Sequence, residues 1–327
     1  MSDNNELIIK ESIGVVQRIR KVQRKHKKYN RNQNGILHLM MLPTVIILFI
    51  YAYIPMFGIL IAFEKFDMTK GVLGFFTSKW VGFDNFTRIF NMQGFQQALF
   101  NTINIAWWKM VAMFIVPIIA SLLLNEIKNE GYKKGIQTIV YLPHFLSWVI
   151  LGGILKDVLG LDGLANSTLH ALFGLKPIFF LGDPKLFVSV LISSQVWQEF
   201  GWSTIIFLAA ITSIDPALYE AAIVDGADRL SQTWHVTLPG MRPIIVLCLV
   251  LSIGGILNAG FDQIFNLYSV PVYKTGDIID TLVYRVGIGG GQYEIATAVG
   301  LFKSVVSLAL ISISYWLAYN FADYQIF

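Results

Sequence analysis

The sequence predicts an all-α membrane protein of about six transmembrane helices, with a helix-turn-helix elbow outside the bilayer between the fourth and fifth spans. Three observations carry this. Apolar runs recur at membrane length, for which a spanning helix needs about 20 residues. Of the 327 residues, 55% are hydrophobic and only 14% charged, with a mean hydropathy of +0.59, whereas soluble domains carry about 25% charge. The longest polar interruption of the second half, Asp215 to Pro243, has an ordered layout of helix formers and breakers.

Residues 1–35 are polar and basic, from Lys10 to Arg31. Ile8, Ile9, Ile13, Val15, Val16, Ile19 and Val22 recur at about helical spacing, which suggests an amphipathic helix on an anionic membrane face; a solvated basic tail is the alternative. Either one places the N-terminus in the cytoplasm. The net charge of +4 is concentrated there, so membrane lipid rather than nucleic acid is the expected partner. The apolar run that follows is too long for a cleaved signal.

Residues 36–327 form the expected membrane domain. Ile36–Phe63 is the first span, with Pro43 and Pro55 expected to bend it. Glu64–Gln96, rich in Gly and Phe, reads as an external loop with interfacial aromatics. Ala98–Asn125 is the second span; the Lys-bearing stretch Glu126–Gly135 fits an inside loop. Ile136–Leu155 is the third span, broken across Tyr141–Trp148, and Asp157–Lys185 reads as external. Leu186–Ile214 is the fourth span, interrupted by Gln195, Gln198, Glu199 and Gly201. Ile244 to about Gly260 is the fifth, Phe261–Glu294 an external segment, and Ile295–Asn320 the last span. Both termini then lie inside.

In the elbow, Asp215 suits an N-cap with Pro216 at the first helical position. Gly226 suits the end of that helix or a close backbone approach, a second segment runs from Ala227 to about Val236, and Leu238-Pro239 should break the path before the fifth span.

Charges inside a membrane are costly and therefore suggestive. Lys109 and Glu199 stand in the second and fourth spans, which predicts an interhelical pair; snorkelling of Lys109 and exposure of Glu199 to a wet cavity are the alternatives. Trp148, Trp197, Gln198, Glu199, Trp202, Asn258, Phe261, Asp262, Gln263 and Asn266 stand at broken or terminal parts of spans. They combine ring faces with amides and carboxylates, the groups a saccharide needs, and are the candidate substrate pathway. No catalytic set is visible. There is no G-x-x-x-x-G-K-[ST] loop to cradle ATP phosphates and no G-x-S-x-G elbow. The five His are scattered, Cys248 is alone, and no metal site is expected. An ion-coupled carrier with Lys109, Glu199 and Asp262 as relay residues is the rival from another class; a glycan-processing membrane enzyme lacks a catalytic pair.

Glu220-Ala221-Ala222, then Gly226, then Leu238-Pro239 resembles the EAA signature of permease subunits of bacterial ABC importers. Tyr141–Trp148, Trp197–Trp202, Phe261–Tyr268 and Thr297–Phe302 are similar to the oligo- and polysaccharide branch of that family, and Val81–Phe86 resembles a stretch of its sugar permeases. The resemblance implies the type I importer permease fold in a bacterial cytoplasmic membrane. Glu220, Ala221, Ala222, Asp225, Gly226, Leu238 and Pro239 would couple to an ATPase. It also implies a second, non-identical permease, two ATPase subunits that bind ATP and Mg, an extracellular solute-binding protein and a saccharide cargo, with no cofactor in this chain.

Overall fold

The computed structural model describes residues 37–322; the predicted N-terminal amphipathic segment lies outside them. The chain divides into two compact units, Met1–Leu60 and Ile61–Phe327.

Four helices are long and apolar enough to cross a membrane: α1 (Leu37–Phe63), α3 (Phe95–Asn125), α9 (Arg229–Gly254) and α12 (Tyr293–Ala322). At roughly 1.5 Å per residue each exceeds the ~30 Å hydrocarbon core. Two bent pairs bring the count of candidate spans to six. In the first, Glu130–Phe145, made of α4 (Glu130–Tyr141) and a 3₁₀ turn (Leu142–Phe145), meets Trp148–Phe173, which opens with α5 (Trp148–Leu159), at 101°. In the second, α7 (Pro184–Thr212) meets α8 (Pro216–Val224) at 68°. The break predicted across Tyr141–Trp148 is therefore present. The predicted interruption of the fourth span is not: α7 runs 29 residues without a gap. Its polar residues face neighbours instead, and Gly201 lets α4 approach so closely that a methyl group there would lie 2.1 Å from the Val140 carbonyl oxygen.

Two prolines are absorbed by π turns. A π turn at Phe49–Tyr53 precedes Pro55, and one at Thr233–Thr237 precedes Pro239. A proline clashes with the carbonyl four residues before it, and widening the preceding turn relieves the clash. Leu238-Pro239 consequently does not break the chain as expected; the second elbow segment begins at Arg229 and continues through Gly254 as one helix.

The expected outer loops carry more structure than composition suggests. Glu64–Gln96 holds a two-strand ladder, Glu64–Lys65 against Lys79–Trp80, and α2 (Asp84–Phe90). Asn85, buried, donates to the carbonyls of Ala62 (3.0 Å) and Glu64 (2.9 Å), which accounts for the Asn of the Val81–Phe86 stretch as a staple. Asp157–Lys185 contains α6 (Leu164–Phe173). Phe261–Glu294, expected as an external segment, carries structure as well. It is a chain of short helices, α10 (Phe261–Leu267) and α11 (Ile279–Val283) among them, with Ile264, Leu267, Val272, Ile278 and Ile279 fully or almost fully buried. Ile264, Leu267, Val272 and Ile278 join α3 and α7 in one core with Ile105, Phe187 and Leu191, and Ile279 joins a second with Phe95 and Ile295.

Gly201→Ala should lower the thermal midpoint of the detergent-purified chain, because overpacking costs about 1–3 kcal/mol. Gly153→Ala, whose added methyl meets nothing within 4 Å, should leave the midpoint unchanged or raise it; equal losses at both sites would refute the packing account.

Candidate functional site

Two regions gather the residues singled out from sequence. The first lies where the spans break. A cavity of about 420 Å³ is lined by Leu146, Ser147, Trp148, Val149, Gln198, Glu199 and Asp262. It exists because the 3₁₀ turn ends at Phe145 and α5 restarts at Trp148 with Ser147 as N-cap. Gln198 seals that break by donating to the Leu146 carbonyl at 3.0 Å. Glu199 Oε2 meets His144 Nδ1 at 2.8 Å, and the His144 ring lies parallel to Trp202 with centroids 4.5 Å apart. Asn266 packs on Gly152, where a Cβ would lie 3.0 Å from its own Cβ, and donates to the Asp262 carbonyl at 2.8 Å.

A second cavity of about 500 Å³ lies between α3, α7 and the end of α9, lined by Lys109, Gln195, Ser203, Ser252 and Asn258 among apolar side chains. Asn258 also borders a third, of about 530 Å³, with Phe261, Tyr284 and the Lys303–Asp280 ion pair. Trp197, 44% exposed, lines none of these three and is a surface residue.

Lys109 and Glu199 do not pair. Lys109 is only 8% exposed and does not snorkel: its ammonium donates to the Ala259 carbonyl at 2.7 Å and to Gln263 Oε1. Gln263, fully buried, donates in turn to the Leu191 carbonyl and Ser194 Oγ, each at 2.8 Å. Both of its amide hydrogens and one acceptor position of its oxygen are engaged inside the protein, so Gln263 ties the α9–α10 break to α7. Ala259 lies in the break that Gly260 (φ 91°) makes between α9 and α10, so Lys109 serves a freed backbone carbonyl rather than a carboxylate. The relay Lys109–Glu199–Asp262 required by an ion-coupled carrier is thus not assembled by contact. Sequence reasoning missed His144 and Lys303; Lys303 was findable as a lone charge within the last apolar run.

The second region is α8. Asp215 caps it by accepting from Ala217 N at 2.9 Å. At the other end Ala227 N donates to Ala222 O (2.9 Å) and Gly226 N to Ile223 O (3.0 Å), a Schellman cap with Gly226 at φ 80°. The spacing from Ala222 to Gly226 is the spacing of that cap. No atom lies within 4 Å of a Cβ built on Gly226, so the glycine answers to φ rather than to a close approach within this chain. Arg229 pairs with Glu126, Tyr219 OH meets Thr237 Oγ1 at 3.0 Å, and Gly240 packs on Ile214. Fixed at both ends, α8 has no buried residue, and Leu218, Ile223 and Val224 are exposed, Val224 by 87%. Glu220, Ala221, Asp225 and Pro239 are exposed as well, with Ala222 and Leu238 half-buried.

Residues 113–323 match the family described as binding-protein-dependent transport system inner membrane component. The chain is 41% identical over 308 residues, 94% of its length and 95% of the relative's, to the polygalacturonan/rhamnogalacturonan transport system permease protein YteP of Bacillus subtilis (strain 168). It superposes with a TM-score of 0.81 and 39% identity on a chain of a bacterial ABC transporter involved in the import of the acidic polysaccharide alginate, covering 89% of this chain and 97% of that one. A bacterial alginate ABC transporter in complex with alginate pentasaccharide-bound periplasmic protein gives the same TM-score at 38% identity, covering 90% and 98%.

Lys109→Met should strip the Ala259 carbonyl and Gln263 of their donor at about 1–3 kcal/mol for each group left unsatisfied. The measurement is thermal unfolding in detergent; a variant as stable as wild type would show that the network does not hold the α9–α10 break.

Proposed function

The chain belongs to the family of binding-protein-dependent transport system inner membrane components, and from that membership we propose that it is one of two membrane-spanning subunits of an ATP-driven saccharide importer. Its cargo class, oligo- or polysaccharide, is supported by the relatives named above and by the aromatic and polar residues around the breaks. Both termini lie in the cytoplasm. A second, non-identical permease completes the pathway, two ATPase subunits bind ATP and Mg, and an extracellular solute-binding protein delivers the sugar.

The observation that carries the coupling assignment is α8: a short apolar helix, capped and braced at both ends, with no fully buried residue and with Leu218, Ile223 and Val224 exposed. In the membrane-facing regions lipid covers apolar surface; at a polar elbow a protein cleft does so. Asp225 stands at the carbonyl end of α8, where the helix dipole disfavours a carboxylate, and a basic group in the cleft would offset this. The 68° bend joins α8 to α7, the helix that carries Gln198 and Glu199. Closure of the ATPase dimer on ATP then pulls on α8 and, through the bend, on the helix that reaches the cavity. Alternating access follows as a population shift between two packings of the spans.

Val224→Glu changes a side chain that touches nothing here. It should reduce co-purification of the ATPase subunit roughly tenfold, the worth of one interface hot spot, without moving the thermal midpoint of the isolated chain. Undiminished association would remove α8 from the interface. Uptake into proteoliposomes should require ATP and the binding protein; uptake by this chain alone on an ion gradient would overturn the importer reading in favour of a carrier.

A further inference from the structure

The segment Phe261–Glu294 sorts its side chains by kind. Its Ile264, Leu267, Val272, Ile278 and Ile279 are buried in the cores described above, whereas none of its Phe or Tyr rings is buried. Neighbouring rings form a continuous row. Tyr273 stacks on Tyr268 with centroids 5.0 Å apart, and Tyr268 meets Phe265 at 6.2 Å. Phe265 in turn meets Phe261 at 5.1 Å and Tyr284 at 4.8 Å. Phe265 and Tyr284 are each 38% exposed.

The row has a direction. Its Tyr273 end lies beside the starts of α3 and α7: Asn101 donates to the carbonyls of Lys274 (3.2 Å) and Asp277 (2.9 Å), and Gly276 packs on Phe187. Its Phe261 end follows the Ala259–Gly260 break held by Lys109, about 12 Å further along α3. On the importer reading α7 ends at the cytoplasmic elbow, so Tyr273 marks the outer end. At the inner end Phe261 and Tyr284 line the cavity of about 530 Å³ that also holds Asn258, Asp280 and Lys303.

Each end carries a cation. Arg285 Cζ lies 5.0 Å from the centre of the Tyr273 ring, and Lys303 lines the inner cavity. Asp277 accepts from two N–H groups of Arg285, and Asp280 from Lys303. A guanidinium and an ammonium have further hydrogens to give, so a sugar hydroxyl or carboxylate finds donors at both ends.

We infer that this row is a track along which saccharide units pass from the outer ends of α3 and α7 to the Lys303 cavity. The inference rests on the saccharide reading above and assigns the rings that guide the cargo. The C–H face of a sugar ring is weakly positive and suits the negative face of an aromatic ring. Such a contact has no hydrogen-bond direction, so a chain slides from one ring to the next, and neutral and acidic units are taken alike. Lipid tails would cover the rings but offer nothing to Arg285, Asn258, Asp280 and Lys303.

The test uses the complete assembly, with its partner permease, ATPases and saturating loaded binding protein, in proteoliposomes. The probes are a galacturonate and an alginate oligosaccharide. Phe265→Leu, which keeps an apolar side chain but removes the ring face, should slow uptake roughly fivefold, the worth of about one aromatic contact. ATP hydrolysis stimulated by the binding protein should persist, and Phe265→Tyr should restore uptake. Phe100→Leu, at an exposed ring of α3 outside the row, should change neither. Should Phe265→Leu fail to assemble, Tyr284→Leu makes the same measurement, with Tyr284→Phe as its rescue. Uptake that is unchanged, that falls in step with ATP hydrolysis, that the conservative variant does not restore, or that Phe100→Leu slows equally overturns the track and leaves the importer reading standing. Failure of the wild-type assembly to take up either probe with ATP overturns the saccharide reading, and this inference with it.

Discussion

Backbone groups freed at helix breaks have no water to turn to inside a bilayer, and the rest of this structure depends on how they are satisfied. The long polar side chains answer to that need. Gln198 reaches the Leu146 carbonyl at the break before α5, Lys109 reaches Ala259 at the break before α10, and Gln263 ties the same place to α7. Asn101 donates to Lys274 O and Asp277 O, closing the short helix that precedes α11. Each bond crosses between elements distant in sequence. The breaks create the cavities and the polar side chains keep the breaks folded, so the two features come together.

This explains which parts of the molecule are legible in sequence. Membrane spans are, because about 20 apolar residues in succession have few other uses, and all six expected regions contain a candidate span or a bent pair. The caps of α8 are legible for a similar reason: Asp215-Pro216 and Gly226 each answer to a local backbone requirement. Intramembrane polar residues are harder. Lys109 and Glu199 suggest a pair because opposite charges attract, but the carbonyl of Ala259 is invisible until the break at Gly260 is placed in three dimensions. Gln263 reads as a pathway residue by its type, and only its burial between α7 and α9 assigns it to the frame. In Phe261–Glu294 turn residues signal the breaks, but nothing local says that the pieces between them pack into the core with α3 and α7.

The cavity and the elbow share an element. Helix α7 holds Gln198 and Glu199 at one level, lets α4 approach at Gly201, and ends at Thr212, shortly before Asp215 caps α8. The same helix shares its most extensive interface with α3. The path from α8 to the His144–Glu199 contact thus runs through the 68° bend and then along the single helix α7.

The π turn at Thr233–Thr237 separates two azimuths. One extra residue in a turn advances every later side chain by about 100° around the axis. The face that α9 turns to its neighbours, with Met241 and Val250 buried, is thereby set independently of the direction in which Arg229 and Trp234 project. The wide turn works as a phase adjuster between a helix ordered by its packing in the membrane and an elbow ordered by whatever grips it. That one turn sets the offset between the two facings.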